Sequence, residues 1–319
     1  MQARAELIDW LMDGDDPSLQ YRVLTELLGQ AETDPRVVGA KARIPESSAV
    51  QAMLTTMHPD GYWLQKNPQS GAWVGDGVDY GAFASTHFVL AYLSELGMGR
   101  SHPLVEKASE RYLNLQQADG DWLRHFSCLI GYNIRTFARM GYRDDPRVLR
   151  ALDLLLNTPR PDGGHLCEIH EGKYKNRAVK SCVRGSCKAL LAFSEYPEVW
   201  DHPRVRHTVE YFLNRGGIFR SDDPSTVVNR DMPILSFPII WRATVWEILY
   251  ALSKMGHGQD QRLQGAWSAV NCRADAAGRF PMDWSPMQSP WKVGKRGAPS
   301  RWITFYMLSA RKLAGMDAR

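Results

Sequence analysis

The sequence predicts an all-α protein with its helices in two layers. Three observations carry that prediction: a helix pair that recurs along the chain, helical spacing of the apolar residues within each copy, and a near absence of strand-like alternation. The clearest copy reads "SCLIGYNIRTFARMGYRDDPRVLRALDLLLNTPRPDGG", residues 127–164. Related copies occupy 84–122, 181–219 and 240–280, and a last helix, "PSRWITFYMLSARKLAG", closes the chain. In each copy a helix ends at Gly, a turn follows, then an amphipathic helix, then a loop. Gly97 and Gly141 are corresponding helix stops.

The two helices of a copy differ in kind. Val148, Leu149, Leu152, Leu155 and Leu156 make one apolar stripe, with Arg147, Arg150 and Asp153 on the other face, so this helix is half exposed. The helix holding Leu249 and Leu252 is apolar almost all round and must be covered on every side. Covered and half-exposed helices in alternation give two layers. Closed on themselves they form an α/α toroid of about 10 to 12 helices, and left open they form a superhelical solenoid. Residues 1–319 then make a single domain, with N-terminal helices in 1–58, two of them expected, and the repeat core in 59–319.

The turns share one grammar. Asp16-Pro17, Asp34-Pro35, His102-Pro103, Asp145-Pro146, His202-Pro203 and Asp223-Pro224 each set a capping side chain before Pro at the first helical position. This bears on Asp13-Gly14-Asp15-Asp16, which has the form D-x-D-D used as a catalytic acid in class II terpene cyclases. "DDPSLQYRVL" matches "DDPRVLRALDL" of the clearest copy, so Asp16 is expected to cap a helix.

Composition narrows the function. Lys+Arg 39 against Asp+Glu 35 leaves a formal charge of +4 without a long basic run, which points away from nucleic acid and anionic membranes as main partners. No apolar run approaches the roughly 20 residues of a membrane span, so no integral membrane segment is expected and a cytoplasmic location is. Five cysteines, an odd number in a chain of this size, favour reduced thiols. Eleven Trp residues are the compositional outlier.

The loops "PDGYW" (59–63), "QQADGDW" (116–122), "PDGG" (161–164) and "AGRFPMDW" (277–284) resemble the QW-type repeats of the terpene cyclase and protein prenyltransferase β-subunit superfamily. The layout also resembles bacterial prenyltransferase and squalene oxidase repeat proteins, over roughly residues 5–315. That resemblance implies an α/α barrel whose inner helices line an aromatic cavity for an isoprenoid-like hydrophobic molecule, with reactive groups near one end. Class II cyclases pair two such domains and carry their D-x-D-D in mid-chain. Here one domain fits and "DGDD" lies near the N-terminus, which counts against a protonation-initiated cyclase.

Prenyltransferase β-subunits hold zinc through an Asp-x-Cys at the start of an inner helix and act with a separate α-subunit; whether this chain has any protein partner is not legible. Cys182 is placed like that cysteine, but Lys180 stands where the Asp would be. Cys128 opens the inner helix one repeat earlier, and Cys167 lies in the loop between. In a ring, Cys128, Cys167 and Cys182 gather at one end, and with His170 or His125 they supply the N/S donors of a zinc site. Without metal they form a cluster of thiols acidified at helix N-termini, or simply small buried apolar groups.

Trp241 and Trp302, at inner-helix starts, are the candidates for cavity walls, together with Trp73. Trp63 and Trp122, in the Asp-Gly loops, read better as clips between repeats. Asp79 and Asp283 are the candidate acids, His87 faces the cavity or the packed interface between layers, and Arg301 belongs to a basic group able to meet a diphosphate. The sequence thus supports an isoprenoid-handling or other hydrophobic-ligand enzyme with a zinc-thiolate or thiol site. Its alternative is a non-catalytic helical-repeat binding or scaffold protein; a lanthionine-cyclase-like reading lacks the Cys-His-Gly motif.

Overall fold

The computed structural model describes residues 2–67, 70–78, 83–170, 179–286, 291 and 293–316. Four helices precede residue 60: α1 (Gln2–Met12), α2 (Pro17–Arg22), which runs on into a wide turn at Val23–Leu27, α3 (Pro35–Arg43) and α4 (Ser48–Leu54). Two were expected there. One of the two additional helices arises because Ser47, just past Pro45, opens its own helix by accepting from the Val50 amide at 3.4 Å. A short antiparallel pair follows, β1 (Gln65–Lys66) with β2 (Trp73–Val74). Then come α5 (Thr86–Glu95), α6 (Pro103–Leu113), α7 (Ser127–Phe137), α8 (Pro146–Leu156), α9 (Val183–Phe193), α10 (Pro203–Leu213), α11 (Val245–Lys254), α12 (Gln264–Asn271) and α13 (Arg301–Leu313).

The inner layer is α2, α5, α7, α9, α11 and α13. From α5 onward each packs on the next, and α13 returns to the Val23–Leu27 turn. Arg22 of α2 also donates to Glu95 at the end of α5, at 3.1 Å, and to the Tyr306 hydroxyl of α13, at 2.7 Å. The ring is therefore closed, an α/α toroid rather than a solenoid. Outside it, α3, α6, α8, α10 and α12 bury one face each, as the stripe on α8 requires: Val148, Ala151, Leu152 and Leu155 are its buried residues.

The cap-and-Pro grammar holds where an apolar helical pattern follows it. Asp16 accepts from the Leu19 amide at 3.1 Å, Asp34 from Arg36 at 2.8 Å, Asp145 from Arg147 at 2.9 Å, and the His202 ring from Arg204 at 3.2 Å. His102 occupies the same position before α6 without a side-chain cap bond. Asp223-Pro224 departs from the expectation. Asp223 accepts from the Ser225 amide at 3.0 Å and from the Thr226 hydroxyl at 2.5 Å, and the chain turns without entering a helix. The residues after it, "STVVNRDMPILSFP", offer no helical stripe to bury.

That same stretch fills the mouth of the ring. Met232, Leu235, Phe237, Ile239 and Ile240 are buried. Phe237 stacks on Trp302 at 4.8 Å between centroids and meets Trp291 and Tyr306 edge-on or tilted at 5.7 and 5.8 Å. The segment is tied down by the Trp246 indole, which donates to the Ser236 carbonyl at 3.0 Å, and by the Tyr132 hydroxyl, which donates to the Ile239 carbonyl at 3.0 Å. Trp63 and Trp122 are buried clips: the Trp63 indole donates to the Met53 carbonyl at 2.7 Å, and Trp122 stacks on Tyr112. Among the described residues, no helix is long and apolar enough to cross a membrane.

Candidate functional site

Two glycines bring the thiols together. A Cβ on Gly131 of α7 would lie 2.4 Å from the Lys188 carbonyl carbon of α9, and one on Gly185 of α9 would lie 2.5 Å from the Ser127 hydroxyl of α7. The first meets backbone and cannot be relieved by a side chain, so glycine at 131 is what allows α7 and α9 to approach this closely, whereas the second meets a rotatable hydroxyl. Their N-terminal ends consequently converge. Cys128 is the second residue of α7, and Cys182 is the residue that caps α9.

The loop between them delivers the third sulfur. Arg204 of α10 donates to the Gly163 and Gly164 carbonyls at 2.7 and 2.6 Å, the Cys182 amide donates to the His165 carbonyl at 2.7 Å, and the His165 amide donates to the Ser186 hydroxyl at 2.8 Å. Held in this way, the strand of chain passes over the helix starts with Cys167 directed between them. Its sulfur lies 3.8 Å from that of Cys128 and 3.7 Å from the Ser127 hydroxyl. A short turn, Glu168–His170, then brings His170 alongside.

Cys128, Cys167, Cys182 and His170 line one cavity of about 140 Å³, together with Phe126, Arg184 and Trp241. The Trp241 face is covered by the Arg184 guanidinium at 4.6 Å, itself paired with Asp231 at 2.7 Å. Hydrogen bonding from the Cys128 thiol, aided by Ser127 and overcoming burial, lowers Cys167 from 9.0 to about 6. Burial pushes Cys182 the other way. The arrangement separates a thiolate from a thiol across one small apolar space.

Zinc can be weighed against these donors. The 3.8 Å between Cys128 and Cys167 sulfurs matches the edge of a tetrahedron of ~2.3 Å zinc–sulfur bonds, which is about 3.8 Å. Among the described residues, however, no three Cys, His, Asp or Glu side chains converge as a group able to hold a metal. Two donors fit and the set is incomplete.

The other expected site residues are dispersed. Trp302 is buried against Phe237, and its indole donates to Asp16 at 3.0 Å. Trp73 is 66% exposed on β2 and is not among the residues that line the thiol cavity. His87 is buried among Phe88, Tyr112 and Tyr132, and that burial lowers it to about 3, so it sits in the packed interface as a neutral ring. Asp283 is paired with Arg273 at 2.6 Å and accepts from the Leu235 amide at 2.9 Å, which makes it an anchor of the mouth segment. Arg301 donates to the Trp10 carbonyl at 2.9 Å and lies over the Trp10 ring, joining the two ends of the chain. Asp79 lies outside the described residues.

A second chemical layer escaped the sequence reading. The inner helices end in a recurring pattern, a small residue, a charged residue, an apolar residue and then Gly or Pro: Ser94 to Gly97, Ala138 to Gly141, Ser194 to Pro197, Ser253 to Gly256 and, with one residue more, Thr25 to Gly29. The charges so placed are Glu26, Glu95, Arg139, Glu195 and Lys254, and Arg22 and Arg135 join them from one turn earlier. Arg135 pairs with Glu95, and Lys254 donates to Glu195 at 2.5 Å. Although burial pushes Glu95 upward, Arg135, Arg139 and Arg22 hold it down at about 2.

No protein-family model matches the chain, and no curated protein sequence does either. Solved structures share its shape. A glycosyl hydrolase of family 88 from Bacteroides vulgatus superposes with a TM-score of 0.55 at 11% identity, covering 98% of this chain and 99% of that one. A polysaccharide lyase gives 0.54 at 11% identity, covering 100% and 99%. A type II terpene cyclase from Scytonema gives 0.34 at 15% identity over 86% and 98%, too low to weigh on fold or chemistry. Near-complete coverage by the first two at so low an identity establishes a likeness of fold alone, and that fold is the α/α toroid.

Proposed function

We propose that the chain is a hydrophobic-ligand enzyme whose reactive centre is the thiol cleft, with the Cys167 thiolate as nucleophile or ligand-holding group and Phe126 and Trp241 as apolar walls. The observation that carries this reading is the convergence of Cys128, Cys167 and Cys182 on one apolar cavity at the start of α7 and α9. The Cys128 thiol and Ser127 hydroxyl stabilise the thiolate by hydrogen bonds, and attack on an electrophilic carbon forms a C–S bond as the leaving group departs with its electron pair. At about 140 Å³, against the ~300–1,000 Å³ of ordinary ligand pockets, the cleft accommodates the reacting end of an isoprenoid-like molecule and not its whole length. A zinc at the cleft would hold Cys167 and Cys128 and keep both as thiolates; it needs a third donor from Cys182 or His170 to move inward.

Iodoacetamide labelling across pH, mapped by mass spectrometry, tests this reading. Cys167 should react with a midpoint near pH 6, and a small apolar electrophile should protect it; a midpoint near 9 without protection would sink the proposal. Metal analysis separates its two versions, with about one zinc per chain, lost in Cys182→Ser, expected of the metal form. The filled mouth, where Phe237, Trp291 and Trp302 occupy the ring, favours the second reading, a binding or scaffold protein. Under that reading Cys167→Ser leaves every ligand interaction unchanged.

A further inference from the structure

At the end of the ring opposite the thiols, Arg139 is a cation 15% exposed with few partners. Along α7 and its last turn it lies 11 positions beyond Cys128, on the order of 16 Å at the helical rise. It makes no hydrogen bond among the described residues; its one ionic contact is to Glu26 at 3.9 Å, and its Nε is buried without an acceptor. Such a charge is costly unless something pairs it. Burial works against its charge, and Glu95 and Tyr306 favour it from a distance, but among the described residues no carboxylate of the surrounding layer accepts a hydrogen bond from it. Among the described residues it holds four cations, Arg22, Arg135, Arg139 and Lys254, against three carboxylates, Glu26, Glu95 and Glu195. Glu95 is engaged by Arg22 and Arg135 and Glu26 by Arg22 at 2.7 Å, while Glu195 accepts from Lys254 at 2.5 Å through one oxygen and its Oε1 lies 3.7 Å from Arg135 without a hydrogen bond.

The negative ends of the inner-helix dipoles explain why cations gather here. They do not explain Arg139, since a guanidinium satisfied by helix ends would donate to their carbonyls and this one donates to none. Nearby Lys312 does so, to the Glu26 and Leu27 carbonyls at 2.8 and 3.1 Å. Space is available instead. Arg139 and Glu26 line two cavities, one of about 550 Å³ that includes Arg22 and Lys41, the other of about 250 Å³ formed with Tyr250, Lys254, Ser309 and Leu313. Lys41 at the rim is paired with Glu32, and Arg100 lies over Tyr142 and donates to the Gly141 carbonyl at 3.3 Å. Ser309, 3% exposed, has a hydroxyl without a partner.

We propose that this end of the toroid is a binding site for a small organic monocarboxylate, its carboxylate held by Arg139 and Ser309 and its body lying against Tyr250 and Leu313 in the smaller cavity. One surplus positive charge calls for one negative charge, and a guanidinium fork fits the two oxygens of a carboxylate. The site is separate from the thiol cleft.

Calorimetric titration of the full chain with benzoate, and in parallel with inorganic phosphate, tests it. Benzoate should bind saturably, one per chain, and at least tenfold more tightly than phosphate. Arg139→Gln should weaken it at least tenfold and Ser309→Ala several-fold, with Cys167 alkylation unchanged. A measurement on the unmodified protein stands beside the variants: bound benzoate should slow phenylglyoxal labelling of Arg139, located by mass spectrometry. No saturable benzoate binding, tighter phosphate binding, or unprotected Arg139 would each overturn the site.

Discussion

Trp302 donates its indole N–H to the Asp16 carboxylate at 3.0 Å across 286 positions of sequence. The other carboxylate oxygen accepts from the Leu19 amide and caps α2. One side chain therefore starts the first inner helix and holds the start of the last. Burial pushes its carboxyl upward, the reverse of what a simple exposed cap does. The last aspartate of the D-x-D-D form serves this joint.

The joint makes Asp16→Asn costlier than capping alone implies. Asn keeps one acceptor for Leu19 but turns an amide N–H₂ toward the indole N–H, donor against donor. A loss of about 1 kcal/mol is expected, visible as a lower urea midpoint. In Trp302→Phe the same substitution should cost less, since the opposing donor is gone.

Acid stability should be governed by two buried histidines: His165, which burial and the neighbouring Arg204 hold well below the usual value, and His87. The unfolded His87 ring titrates near 6.5 and the folded ring near 3, so the fold favours the neutral form. Its contribution is whole above pH 6.5 and is lost as pH falls toward 3, at a slope of about 1.4 kcal/mol per unit. Glu95, depressed from 4.5 to about 2, adds its own loss below pH 4.5. Urea unfolding between pH 7 and 5 should show the summed slope of the two rings, and His87→Gln should reduce it to the part that His165 supplies.

What the sequence disclosed and what it hid follow one physical division. Caps at Asp16, Asp34 and Asp145 were legible because a cap and its helix are neighbours in the chain; Asp223 misled because the same local signal preceded a segment with no stripe to bury. The gathering of Cys128, Cys167 and Cys182 was legible through the repeat, which fixes which helix ends coincide. The stacking of Phe237 on Trp302 was hidden because Phe237 comes from a loop outside the repeat. The charged layer was visible as the recurring charge before each Gly, but a single Glu or Lys near a helix end reads as solvated until the ring is closed around it.

Gly131→Ala should uncouple the thiols. Its Cβ meets the Lys188 carbonyl, so α7 and α9 must separate at the contact that brings Cys128 beside Cys167. Cys167 labelling by iodoacetamide should shift from a midpoint near 6 toward 9, with a fall in stability of 1–3 kcal/mol, about the cost of overpacking.

Phe237→Ala should cost ~3–5 kcal/mol, the usual penalty for emptying a buried aromatic site. The space between Trp302, Trp291 and Tyr306 would then admit an apolar molecule. Uptake of benzene or xenon by this variant, and not by the parent, is the expected crystallographic result.

The Lys188–Glu247 pair spans α9 and α11 with both partners almost wholly buried. Removing one charge by Glu247→Gln should cost about 3–5 kcal/mol, whereas Lys188→Met with Glu247→Leu should come near to neutral. Chemical denaturation of the three proteins decides it.

Closing the ring leaves the molecule without a natural first helix. Arg301 of α13 bonds the Trp10 carbonyl of α1, and Arg22 bonds Tyr306, so the two ends of the chain are already neighbours. A short linker joining them, with new termini cut at the exposed turn near Asp144 or near Asp201, should give a circular permutant with the same fold. The native order has a kinetic cost that permutation redistributes: the bonds that lock the ring span 284 positions or more and form only after α13 has emerged from the ribosome. Until then five inner helices stand as an open arc with an apolar edge exposed at each end, and the last helix acts as the clasp.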